Sequence, residues 1–216
     1  MLFRRTFLRV LTTAVVACAA GSLTLADDGP WVELFNGENL EGWTQRNGTA
    51  TYRVEDGCVV GKTNEGSPNS FLCTDKDYGD FELTFEVKVD DQLNSGVQIR
   101  SRSIAERDNG RVHGPQVEIS TDGKAGYIYG EALGTGWISP DPQNHDAFRS
   151  GEWNEYRVVA KGNHIQTWIN GKQVADVMDD KSEQPSGFIG LQVHGIAGGT
   201  GPFEVRWRNI KLRELN

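Results

Sequence analysis

The sequence has 216 residues, of which 37% are hydrophobic and 24% charged, and its formal net charge is −8. This excludes a disordered chain and a largely membranous one, and it leaves length for one domain with a substantial core. The 26 glycines and 6 tryptophans suit many short strands joined by turns.

Residues 1–26 read as an export signal. Arg4, Arg5 and Arg9 accompany an apolar run from Leu11 to Ala20, and no acid occurs before Asp27. The run is too short to span a bilayer stably. Arg4-Arg5-Thr6-Phe7-Leu8 also resembles a twin-arginine signal. Two cleavage readings stand side by side. Thr24-Leu25-Ala26 offers small residues before a cut at Asp27. Val15-Val16-Ala17-Cys18 resembles a lipobox, which would make Cys18 a lipidated N-terminus. The apolar stretch continues past Cys18 to Ala26 and so favours the simple cut. Residues 27–216 are then one exported domain, periplasmic or extracellular, with no transmembrane span. It keeps 22 − 3 = 19 basic residues against 30 acidic ones, a net −11, which excludes phosphate backbones as partners.

Beyond the signal, period-two alternation dominates and no helical stripe stands out. Strands are expected at 52–55, 58–61 and 70–74. Cys58 and Cys73 belong to this stretch, around a Gly/Pro/Asn turn. In an oxidising compartment they are disulfide candidates, and a bridge would add about 3 kcal/mol. Two half-buried free thiols fit the spacing equally well. The clearest strand is 81–89, where Phe81, Leu83, Phe85, Val87 and Val89 alternate with Glu82, Thr84, Glu86 and Lys88. Further strands are expected at 96–102, 115–120 and 125–129. Residues 130–151 lack strand character, and an ordered loop of that length inside a compact domain is usually functional. Strands resume at 153–161, 164–169, 172–176, 187–194 and 203–212. Asn170-Gly171 marks the strongest hairpin turn. About a dozen strands at this spacing predict an all-β, jelly-roll sandwich of two antiparallel sheets.

Alternation also places polar residues in pairs. Gln98 and Arg100 fall opposite Val97 and Ile99. Gln116 and Glu118 fall opposite Val117 and Ile119, and Gln192 and His194 opposite Leu191 and Val193. On adjacent strands, these doublets would line a sugar-sized concavity, where amides, Arg and carboxylate suit vicinal hydroxyls. Any one doublet alone fits an ordinary wet face. Trp137, on the long loop, is the candidate platform for stacking a sugar ring. Trp153, Trp168 and Trp207 fit a structural role better. His113, Glu118 and His194 could converge on a divalent metal, but no paired-His spacing supports it. Phosphate-loop and nucleophile-elbow motifs are absent.

Several segments together resemble the 3-keto-disaccharide hydrolase family. They are Leu34-Phe-Asn-Gly37 with Leu40-Glu-Gly-Trp43, Val54-Glu-Asp-Gly57, Tyr78-Gly-Asp-Phe81, Asn94-Ser-Gly-Val-Gln-Ile-Arg100, Gln116-Val-Glu-Ile119, Gly151-Glu-Trp-Asn154, Asn170-Gly171 and Arg208-Asn-Ile210. The resemblance covers nearly all of residues 31–214. It implies a concanavalin A-like jelly roll and cleavage of glycosides already oxidised to a ketone at C3. A C3 ketone acidifies the C2 hydrogen, so a base can remove it and the C1 substituent leaves by elimination, after which water adds back. With that chemistry Glu118 is assigned as base, Arg100 as the group on the enolate oxygen, and His194, or secondarily His113, as helper of the leaving group. Gln98, Gln116 and Gln192 would orient hydroxyls. A divalent metal in place of Arg100 stays open at this level. The substrate would be an oligosaccharide or glycoside, and a sugar 3-oxidoreductase would act upstream. The alternatives are a non-catalytic carbohydrate-binding module, an ordinary glycosidase with a second acid facing Glu118, and an adhesion module.

Overall fold

The computed structural model describes residues 28–182 and 184–216. The expected export signal, with Cys18 and the expected cleavage site, therefore lies outside the described residues. The chain folds into two antiparallel sheets. The larger sheet takes, from edge to edge, β12 (Lys172–Met178), β11 (His164–Ile169), β10 (Asn154–Lys161), β6 (Phe81–Val89), β14 (Glu204–Glu214), β4 (Cys58–Lys62) and β3 (Thr51–Glu55). The short β1 (Val32–Glu33) adds to β14. The smaller sheet runs β2 (Trp43–Arg46), β5 (Ser70–Thr74), β13 (Phe188–Val193), β7 (Ser95–Ser101), β8 (Gly114–Ile119) and β9 (Ile128–Glu131).

Alternation explains how the layers meet. Phe81, Leu83, Phe85, Val87 and Val89 enter the interlayer core with Tyr156, Val158 and Trp207 from the larger sheet and Val97, Ile99, Val117 and Leu191 from the smaller. Burying a side chain of this size is worth about 1.5–3 kcal/mol. Phe85 stacks on Tyr156 at 4.9 Å between ring centroids. The opposite face of β6 turns to solvent and is laced with charge. Glu82 binds both Arg157 and Arg213, and Glu86 binds Arg208. Trp168 lies under Arg157 at 4.2 Å, and Trp153 under Arg208 at 4.0 Å. These two tryptophans are thus structural without being core, whereas Trp207 is fully buried.

Two expectations change here. The strand expected at 125–129 begins instead at Ile128, because Gly126 (φ +81°) belongs to a turn packed on Ile169. The shift carries Glu131 from the loop into a strand. Cys58 and Cys73 are both buried free thiols, which corrects the disulfide expectation. Cys58 sits in β4 of the larger sheet, next to the inward-pointing Val59. Cys73 sits in β5 of the smaller sheet and packs with Phe71, Val112 and Phe188 on its outward face. The whole sandwich stands between them, and facing sheets are about 10 Å apart. Burial pushes the Cys73 thiol up to about 12, so it is inert as a nucleophile.

Candidate functional site

The outward face of the smaller sheet is concave and carries buried polar residues. Pairing places Gln98 opposite Gln116 and, on its other side, opposite Gly190. Gly96 faces Gln116 so closely that a Cβ there would lie 2.5 Å from the amide. This lets three glutamines meet between strands. Gln98 and Gln192 each donate an Nε2–H to Gln116 Oε1 at 2.7 Å. Gln116 Nε2 donates in turn to Glu118 Oε2 at 3.0 Å. Ser101 Oγ starts the chain by donating to Gln98 Oε1 at 2.7 Å. Asn94 Nδ2 donates to the other oxygen of Glu118. The donors thus all point one way and end on one carboxylate.

Glu118 is 7% exposed. Burial raises its pKa to about 7, against the lowering effect of the Asn94 and Gln116 hydrogen bonds. Desolvation disfavours the charged form more than two amide donors favour it. A carboxyl that exchanges its proton near neutrality suits acid–base work. Gln192 Oε1 is buried with no hydrogen-bond partner among the described residues. An acceptor left in that state is costly unless something donates to it.

Above this floor opens a hollow of about 410 Å³, within the usual range of roughly 300–1,000 Å³ for small-molecule sites. Its walls include Tyr129 and Trp137, which meet edge to face at 5.3 Å. Arg111 reaches in and holds Glu131 at 3.2 Å. His194 stands exposed at the rim, its Nδ1 2.7 Å from the Gly195 carbonyl, and Asn69 and Asp122 complete the wall.

The structure therefore brings Gln116, Glu118, Gln192, His194 and Trp137 together around the hollow, whereas Gln98 is buried beneath it with both amide atoms engaged by Gln116 and Ser101 and has none left for a hydroxyl. The structure does not bring Arg100. Between β7 and β13 the register slips by one residue, and Arg100 takes a positive φ of +47°. Such a bulge re-aims the side chain. Arg100 instead donates to the Gly79 and Gly162 carbonyls and pairs with Asp80 at 2.9 Å, in a separate hollow. It cannot hold an enolate oxygen beside Glu118. His113 is likewise outside the hollow, buried with Nδ1 3.0 Å from the Arg111 carbonyl. Among the described residues no three His, Cys, Asp or Glu side chains gather to hold a metal. The donor set thus does not fit the divalent ion considered in place of Arg100. Arg111, Glu131, Asn94 and Tyr129 are site residues that alternation alone did not find. Tyr129 and Glu131 follow the two-residue spacing once β9 is placed correctly.

The family model described as a 3-keto-alpha-glucoside-1,2-lyase-like domain matches residues 30–213. The chain belongs to this family. Membership makes it a carbohydrate-related domain. No curated protein matches the chain. Among solved structures, one titled "putative glycosyl hydrolase" from Parabacteroides distasonis ATCC 8503 is 22% identical, with a TM-score of 0.65, 87% of this chain and 94% of that one covered. Carbohydrate-binding module CBM66 from Bacillus subtilis is 17% identical (TM-score 0.56, 79% and 94% covered). The Bacillus licheniformis beta-glucanase is 12% identical (TM-score 0.61, 89% and 100% covered). At these identities the likeness shows the shared jelly-roll fold. Among the described residues no helix is long and apolar enough to cross a membrane.

Proposed function

We propose that this protein cleaves glycosides whose sugar carries a ketone at C3, with Glu118 as the base. The observation that carries this reading is the buried Glu118 carboxyl, with a pKa raised to about 7, at the end of a one-way amide chain. Ionised Glu118 takes the C2 hydrogen, and the C2–H electrons pass into the enolate on O3. The enolate collapses to restore the ketone, a C1=C2 bond forms, and the C1–O bond breaks. The departing oxygen takes a proton from His194. With Nδ1–H donating to the Gly195 carbonyl, the ring gives that proton from Nε2 as the imidazolium. Water then adds at C1 and gives its proton back to His194 Nε2 while Glu118 returns its own to C2, so both groups are restored and the net reaction is hydrolysis.

Arg111 takes the role first given to Arg100. Its guanidinium is the cation of this hollow, and a donor on the developing O3 charge lowers the barrier. Gln192 Oε1 accepts from a sugar hydroxyl, which meets its otherwise unmet need. Trp137 offers its face to the ring. The substrate requires a reaction that oxidises the C3 hydroxyl beforehand, the work of a sugar 3-oxidoreductase. Read as an export signal, residues 1–26 would direct this chemistry to the periplasm or beyond, which fractionation of cells making the full chain would check.

A second reading has one observation in its favour. Glu131 shares the hollow with Glu118 and could be the second acid of an ordinary glycosidase. Incubating the protein with 3-keto-trehalose, 3-keto-lactose and their unoxidised parents, and following released glucose, separates the cases. Release from the keto-sugars alone is expected. Release from the parents supports the two-carboxylate enzyme. Binding without release supports a carbohydrate-binding module.

A further inference from the structure

A second hollow, of about 480 Å³, adjoins the first and shares Asn69 and Arg111 with it. It lies between the turn after β2, the start of β5 and the turn at Asp108–Gly110 in the β7–β8 connection. Its shape depends on Gly48, whose φ is +52° and where a Cβ would come within 2.0 Å of Ser70 Oγ. The backbone can run this close only without a side chain.

Several of the polar atoms around this hollow are already engaged. Asn47 Nδ2 donates to the Gly110 carbonyl, and its Oδ1 accepts from the Val112 N–H at 2.7 Å. Asn69 Oδ1 accepts from the Gly195 N–H at 2.9 Å. Arg111 holds Glu131 with one amino group. Asp108 is exposed to solvent. What remains for an occupant is mainly hydrocarbon, from Pro68 and Phe71, beside the Gly48 backbone. The shared wall also lies beside the proton donor, because Gly195 ties His194 to Asn69. A C1 substituent leaving with His194's proton therefore lies towards this hollow.

Resting on the reading above, we propose that the second hollow receives the departing group, and that it selects an apolar, ring-bearing aglycone over a second sugar. A sugar ring there would lose water from its hydroxyls with few unengaged partners to replace it. An apolar ring gains by leaving water.

The test compares three substrates with the same 3-keto-glucosyl unit, bearing methyl, cyclohexylmethyl or glucosyl at C1. Methyl and cyclohexylmethyl leave as primary alcohols of similar basicity, so the difference between them reports on the hollow. The expected result is a kcat/KM at least tenfold higher for cyclohexylmethyl than for methyl, with the glucosyl substrate gaining less. Pro68→Glu places a carboxylate in the hollow, and Pro68→Trp fills it. In each variant the cyclohexylmethyl-to-methyl ratio should fall towards one. The ratio is read within one folded protein, so partial loss of material cancels. Equal rates for methyl and cyclohexylmethyl, a glucosyl preference, or a ratio indifferent to both variants overturns the proposal. If none of the three is cleaved, the lyase reading fails on its own. Calorimetric binding of the cyclohexylmethyl and methyl compounds to wild type and both variants then decides the hollow separately, by the same ratio.

Discussion

Replacing Glu118 by Gln should change how stability depends on pH. The unfolded carboxyl ionises near its ordinary 4.5, and the folded one at about 7. Between those values the folded state binds more protons than the unfolded state, so stability falls as pH rises. The contribution is fully present below about 4.5 and is lost as pH passes through about 7. The gap, at about 1.4 kcal/mol per pH unit, comes to about 3 kcal/mol. Gln cannot ionise, but it places an amide donor against Asn94 or Gln116, which costs a fixed amount at every pH. That fixed cost drops out if urea unfolding is measured for both proteins from pH 4 to pH 8. The wild-type stability minus that of the variant should decrease by about 3 kcal/mol across the range. A flat difference would refute the buried, proton-sharing state of Glu118, and with it the reason for choosing Glu118 as base. The same variant should abolish release of glucose from 3-keto-sugars.

Gln116→Leu removes one donor from Glu118. A hydrogen bond to a charged group is worth roughly 1.5–3 kcal/mol, so the midpoint of the pH–kcat/KM profile should move upward by about one pH unit or more. Arg100→Gln should lower stability by about 2–4 kcal/mol, through the Gly79 and Gly162 carbonyls and Asp80 left without their guanidinium. Its kcat/KM per folded molecule should match wild type, and a catalytic loss at unchanged stability would return Arg100 to the site. Cys58 and Cys73 should resist alkylation in the native protein and react fully on unfolding without reductant. Reductant should leave the melting temperature unchanged, and a drop would mean a bridge.

Much of the smaller sheet was legible because alternation is a property of the pleat, not of tertiary context. Gln116 and Glu118 share a face wherever β8 is a regular strand, and Gln192 follows in β13. The rule failed at Arg100, four residues from Gly96 along the same strand, because one bulged residue reverses every side chain after it. No local cue in Val97-Gln-Ile-Arg100 announces that bulge. It follows from the register against β13, which is set by residues about ninety positions away. Arg111, Asn94 and Glu131 were missed for a related reason. They come from connections and from a strand whose start is decided by how Gly126 packs on Ile169.

The same contrast explains why the site has its chemistry. Each glutamine taken alone reads as a wet-face residue, yet Gln98 and Gln192 are fully buried and Gln116 nearly so. A buried amide that donates to one neighbour and accepts from another has its orientation fixed by both. Gln98 and Gln116 in series, started by Ser101 and joined at Gln116 by Gln192, leave Glu118 receiving donors only. An apolar floor would raise the carboxyl pKa further, towards a group too proton-bound to act as a base at neutral pH. A cationic floor would lower it towards a carboxylate too weak to take a carbon-bound hydrogen. Neutral amides hold it between those limits, near 7. That is the range in which proton abstraction and proton return can both proceed on one residue.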